Sequence, residues 1–220
     1  RSWDTVIALE GPLMPAMTFG RNAPLRDFVV ALPRLATADV PPQIQEHVEI
    51  IARELPRVKF ATPDGFEDDL AFLPSGIKGY TSGPSIMGGQ RMLIVSPFLS
   101  DEVLRLIGDR GSSTTLISRM ESLDKLGLGA LEAISQRGSV YYLDDAAERP
   151  EESEELDADQ SGAISPFSGL HAKLYLIEDG WYVDLITGSG NCTSAGLNGS
   201  NVEMMVQLRE IGRASCRERV

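Results

Sequence analysis

The chain has 220 residues, with 20 Lys+Arg against 32 Asp+Glu and a formal net charge of −12. That length holds one sizeable core or two small ones, and the composition is that of an ordinary globular protein. No apolar run reaches membrane-spanning length and no charged-then-apolar leader pattern is read at the opening, which sets aside a helical membrane protein.

Residues 1–85 read as an N-terminal α/β region whose role the sequence does not state. Asp4–Leu9 has the apolar character of a strand. Leu25, Phe28, Val29 and Leu32 are spaced for a helix that Pro33 ends. Pro41-Pro42 opens a second helix, with Ile44, Val48, Ile51 and Leu55 on one stripe and Pro56 as its stop. His47 sits in that helix with no Lys two residues on and no second ligand near, so it reads as a plain surface or half-buried histidine. Pro74–Gly89 is rich in Gly, Ser and Pro and reads as a loop, with a domain boundary near residue 85.

From Arg91 the pattern is regular. Met92–Val95 is a continuous apolar run, as in a strand buried on both faces. Asp101 and Glu102 open a helix through Val103, Leu104 and Ile107, acids placed at its positive end. Thr114–Ser118 is the next strand, Leu123–Ile134 a helix, and Val140–Leu143 a third strand. Alternating strands and helices predict parallel pairing with helices on the sheet. The expected class is therefore α/β: a layered sandwich with a mixed, largely parallel sheet over residues 86–210. An acidic insertion, 144–166, interrupts it. Nine acids stand against Arg149 alone between Leu143 and Phe167, which reads as a solvated insertion.

The stretch Leu170–Ile177 reads as a strand, Asp179-Gly180 as a hairpin turn, and Trp181–Thr187 as the return strand. Residues two apart in a strand share a face, so His171 and Lys173 are expected side by side, above Tyr175 and Ile177. The return strand brings Gly188-Ser189-Gly190-Asn191 to the same end. An imidazole, an ammonium, a hydroxyl and a carboxamide on one spot suit a tetrahedral phosphate. A strand from Val202 to Leu208 completes the lobe.

The ordered set His171-Ala172-Lys173, Gly188-Ser189-Gly190-Asn191 and Asn201-Val202-Glu203 resembles the phospholipase D superfamily, the HKD phosphodiesterases. Thr193–Leu197 and Ser96-Pro97-Phe98 resemble family sequence as well. One departure is visible: the acid expected five places after the Lys falls on Glu178, with Asp179 beside it. The resemblance implies a phospholipase D-like fold and a phosphodiesterase that works through a phosphohistidine on His171, without metal or other cofactor. Lys173 would neutralise a non-bridging oxygen, and Asn191 and Ser189 would donate hydrogen bonds to the same group. Free N–H groups of a short helix starting at Ser194 or Ala195 would add to these. Glu203 is the carboxylate expected to hold the other ring nitrogen of His171. Glu178 or Asp179 is expected to shape the turn. Nucleic acid is favoured slightly over phospholipid as substrate. A non-catalytic binding or scaffold lobe, or a fragment inactive without its second motif, is the competing reading.

Family members draw a second histidine from a second copy of the motif, and this chain has only His47 and His171. The expected partner is a second motif-bearing lobe, in further sequence or in a homodimer partner. Residues 211–220 resemble translated sequencing-adapter read-through; on that reading the gene continues past Glu210 and the chain is a fragment. Without them the net charge is −14 and Cys192 is the only cysteine left. A single cysteine forms no intrachain disulfide, which fits a reducing, cytoplasmic setting. Cys192 itself reads as a small packed residue rather than a nucleophile.

Overall fold

The computed structural model describes residues 2–86, 88–143 and 169–211. The acidic insertion 144–166 and all of the adapter-like tail except Ile211 lie outside the described residues. The expected strand over Asp4–Leu9 is not formed. The first strand is instead β1 (Ser2–Trp3), which pairs in parallel with β6 (Gly169–Leu170). Two helices follow as expected, α1 (Ala23–Ala31) and α2 (Pro42–Glu54), each with Pro at its start, where the missing N–H costs nothing. Asn22 is fully buried, and its amide donates to Leu55 O (2.8 Å) and Val58 O (2.7 Å), tying the start of α1 to the end of α2. The apolar stripe of α2 buries little: Ile44 and Ile51 stay exposed, as does His47.

The sheet begins earlier than the composition implies. β2 (Ala71–Ser75) runs through Pro74, within the stretch expected to be loop. Proline is tolerated there because β2 is an edge strand, antiparallel to β9 (Glu203–Ile211). The expected boundary near residue 85 therefore lies between two strands of one sheet. Next come β3 (Arg91–Val95), α3 (Asp101–Asp109), β4 (Ser113–Ser118), α4 (Met120–Leu123), α5 (Leu128–Ser135) and β5 (Ser139–Tyr142). The single helix expected over Leu123–Ile134 is two, because Gly127 is extended and gives its N–H to the Asp101 carboxylate (3.1 and 3.2 Å). β7 (Leu174–Asp179), β8 (Tyr182–Gly188) and the short α6 (Ser194–Leu197) precede β9. The β7–β8 turn places Gly180 at φ +61°, a conformation that side chains disfavour.

The seven strands lie in the order β2-β9-β8-β7-β3-β4-β5. Only the run β3-β4-β5 is parallel; the other neighbours pair antiparallel, because the β7–β8 turn reverses the chain and β2 and β3 meet the sheet in opposite senses to their partners. The class is a mixed α/β sheet flanked by helices.

The core lies between the sheet and α3 and α5. Ile94, Leu104, Leu116, Tyr175 and Met205 are wholly buried. Each such aliphatic side chain contributes roughly 1.5–3 kcal/mol of transfer free energy. The opposite face, at the β2-β9-β8 end, is closed by a second cluster. Leu70, Phe72 and Leu208 are buried there under Ile7, Leu9, Leu25 and Phe60. Part of the N-terminal region thus serves as the cover of that face.

Candidate active site

The parallel strands β3, β4 and β5 all end at one edge of the sheet. Antiparallel pairing brings the start of β7, the end of β8 and the start of β9 to that same edge. Crevices at the carboxyl ends of strands are where open α/β sheets bind ligands. At this edge Ser96, just past β3, is fully buried and organises the backbone. Its hydroxyl accepts the Cys192 N–H (2.9 Å) and donates to Phe98 O (2.8 Å), and Ser118 donates to its carbonyl (2.7 Å). The stretch carrying Asn191 is thereby fastened to the end of β3.

His171 and Lys173 do not lie within a strand. Residues 171–173 form a connection between β6 and β7, because the N–H groups of His171 and Ala172 both go to Trp3 O (2.7 and 2.8 Å). The alternation nonetheless holds from Lys173 onward: Lys173, Tyr175 and Ile177 are buried. His171 is turned outward, with its side chain 46% exposed, and its Nδ1 lies 2.9 Å from Asp4 Oδ2. Lys173 is 5% exposed and donates from Nζ to His171 O (2.6 Å). Burial holds its pKa below the ordinary lysine value; the Asp4 and Glu203 carboxylates pull it back up, and Arg119 pushes it further down. Asp4 has its carboxyl pKa lowered, chiefly by the hydrogen bond from His171.

Ser189 and Asn191 stand across from this pair. Gly188, which ends β8, adopts φ +152°, and a Cβ there would lie 2.2 Å from Met204 O. Only glycine lets β8 pass that close to β9 while delivering Ser189. The Ser189 hydroxyl donates a short hydrogen bond to Glu203 Oε2 and accepts the Met204 N–H (3.0 Å). Asn191 Oδ1 is buried with no hydrogen-bond partner among the described residues. Asp4, Thr5, Phe98, His171, Lys173, Gly188, Ser189 and Asn191 line one open cleft of about 450 Å³.

Two expected roles fall differently. Glu203 was expected to hold the His171 ring. It is buried with Ser189 on one oxygen and Asn201 Nδ2 on the other (3.2 Å), while Asp4 occupies the ring nitrogen. The short helix α6 was expected to offer free N–H groups. The Ser194 N–H goes to Ser100 Oγ (3.0 Å) and the Gly196 N–H to Thr193 Oγ1 (3.1 Å), which leaves only the Ala195 N–H of that first turn to offer. Glu178 and Asp179 sit at the far end of β7. Glu178 pairs with Arg91 (2.5 Å) across the β3–β7 ladder, and Asp179 flanks the turn opposite Tyr182. Five residues of strand, roughly 17 Å, separate them from the cleft. Cys192 is fully buried, and burial pushes its thiol up to about 12, so it packs beside the motif.

Asp4 and Thr5 are cleft residues that sequence reasoning missed, and Phe98 one that it named without a role; Arg119 stands beside them. Arg119 follows β4, donates to Leu170 O (2.6 Å) and stands over the Phe98 ring at 5.5 Å. The Ser-Pro-Phe signal contained Phe98; nothing local in the sequence marks Asp4.

No family model matches the sequence, and no curated protein does. Solved structures do. The chain is similar to NucT from Helicobacter pylori, with 17% identity over 54% of this chain and 67% of that one and a TM-score of 0.33. It is similar to Nuc from Salmonella typhimurium, a phospholipase D family member, with 12% identity over 68% and 88% and a TM-score of 0.39. It is also similar to TrmBL2, an archaeal chromatin protein, with 12% identity over 74% of this chain, about half (52%) of that one, and a TM-score of 0.34.

Proposed function

We propose that this chain is the motif-bearing lobe of a phospholipase D-like phosphodiesterase with His171 as nucleophile. The observation that carries the reading is the single cleft into which His171, Lys173, Ser189 and Asn191 all open. A phosphodiester is anionic, so its attacker must be neutral or its charge offset. Neutral imidazole meets the first need, and the Lys173 ammonium the second. The imidazole lone pair forms an N–P bond as the P–O bond to the leaving group breaks. Water then attacks the phosphohistidine and frees the ring. Ser189 and Asn191 serve as neutral hydrogen-bonding groups for the non-bridging oxygens.

The leaving oxygen needs a proton. His47, on exposed α2, is not among the residues lining the cleft. The donor in this reading comes from a second motif-bearing lobe, in further sequence or in a second copy of the chain. Nucleic acid is the favoured substrate class, and phospholipid the other.

The test compares product release from labelled DNA and from phosphatidylcholine vesicles, for wild type and His171→Ala. The expected outcome is cleavage of DNA that falls at least about a thousandfold in the variant, with a phosphohistidine adduct on alkaline denaturing quench of wild type alone. If wild type binds DNA or vesicles but cleaves neither, including at concentrations where it self-associates, the non-catalytic binding lobe becomes the better reading.

A further inference from the structure

We propose that Asp4 is the positioning residue that sets the tautomer and ring orientation of His171, making the N-terminal segment a working part of the cleft. The placement stands by itself; its catalytic consequence rests on the function proposed above.

An ionised carboxylate can only accept, so Asp4 Oδ2, 2.9 Å from Nδ1, requires the ring proton on Nδ1. The lone pair is then on Nε2. The Asp4 carboxyl is also held in its ionised form by that contact.

Asp4 is fixed by its neighbours on both sides. Before it, Trp3 O accepts from His171 N and Ala172 N, and β1 pairs with β6 in register Ser2↔Gly169 and Trp3↔Leu170. After it, Thr5 Oγ1 meets Thr187 Oγ1 (2.9 Å), which donates to Lys173 O (2.7 Å). The segment that carries Asp4 thus grips the same connection that carries His171.

Two rival assignments fit the geometry less well. Glu203 has one oxygen on Ser189 and the other on Asn201. A plug that imitates phosphate would pair with the Lys173 ammonium. Lys173 instead donates to His171 O, and among the described residues the ion pair of Asp4 is with His171.

The test reads the imidazole nitrogens directly. ¹⁵N-labelled full-length protein carrying His47→Gln leaves His171 as its one histidine. With Asp4 present, Nδ1 is expected at a pyrrole-type shift and Nε2 at a pyridine-type shift. In Asp4→Ala both should move toward the average of two tautomers. Asp4→Glu should restore the first pattern, and Glu203→Gln should leave it unchanged. On DNA, Asp4→Ala is expected to lower kcat about 10- to 100-fold with KM changed less than about threefold. An unchanged ring spectrum in Asp4→Ala, or a collapse in Glu203→Gln instead, overturns the proposal. If Asp4→Ala does not fold, Asp4→Asn carries the test: a lower imidazole pKa by NMR titration supports the assignment and an unchanged one overturns it. A wild type that cleaves nothing, yet shows the tautomer shift in Asp4→Ala, keeps this positioning and removes the phosphodiesterase reading. Cleavage with an indifferent ring does the reverse.

Discussion

Lys173 is at once a packed residue and part of the cleft wall. Its stem is buried, its ammonium supports the His171 carbonyl, and the head still borders the cleft. Lys173→Met keeps the volume and removes the charge. If the chain is the proposed phosphodiesterase, turnover is expected to drop at least about a hundredfold, since that reading aims the ammonium at developing charge. The pH response follows from the lowered pKa. The folded protein binds this proton more weakly than the unfolded chain does. Stability should therefore rise as pH climbs from the lowered value to the ordinary 10.5, and Lys173→Met should lack that rise in a thermal-melt series. Asp4 follows the same sense in an acid window. Its lowered pKa adds stability above its ordinary value of 3.8 that is lost as pH falls through the folded value. The melting difference between wild type and Asp4→Asn should close in acid. Cys192 supplies a negative control. Buried and titrating at about 12, it should resist thiol reagents in the native state, and Cys192→Ala should keep activity at a stability cost of about 1–2 kcal/mol. His171, Lys173, Ser189 and Asn191 were legible because their spacing is short and local. The ring's partner was not. Asp4 lies 167 positions from His171, and no pattern at one end of a chain announces a hydrogen bond to the other.

At the scale of elements, the α3–α5 contact decides how the parallel half packs. A Cβ on Gly108 would lie 2.6 Å from the Ala133 Cβ and 2.7 Å from its carbonyl oxygen. Alanine at an ordinary helix position is worth about 1 kcal/mol over glycine. Here the overlap, typically about 1–3 kcal/mol, outweighs it, so Gly108→Ala should lower the chemical-denaturation midpoint. Because the clash includes the Ala133 backbone, Ala133→Gly should rescue only part of the loss. The element reading succeeded where apolar runs were long, as in β3, α3 and β4. It failed where backbone partners were remote or composition misled. His171–Lys173 looks like strand, yet the N–H groups of His171 and Ala172 turn to Trp3. Pro74-Ser75 looks like loop, yet an edge position excuses the proline. Gly127 looks like helix interior, yet Asp101 draws its N–H out of the helical pattern.

For the whole molecule, the cleft gathers an imidazole, an ammonium, a hydroxyl and a carboxamide, but among the described residues no second histidine. If a second copy supplies the proton, specific activity should rise with protein concentration through the dimerisation range, followed by light scattering alongside the assay. Nucleic-acid binding by so acidic a chain should depend on few phosphate contacts, giving a shallow decline of affinity with salt. The pairing of β1 with β6 also has a kinetic meaning. The β7–β8 turn and the β3–α3–β4 unit join near neighbours in sequence, whereas Ser2 must find Gly169. Loop-closure entropy and slow long-range pairing put that encounter late in folding. A refolding chain would regain its sheet before its imidazole is seated. On the phosphodiesterase reading, trimming five residues from the front by protease would silence cleavage while circular dichroism still reported a native body.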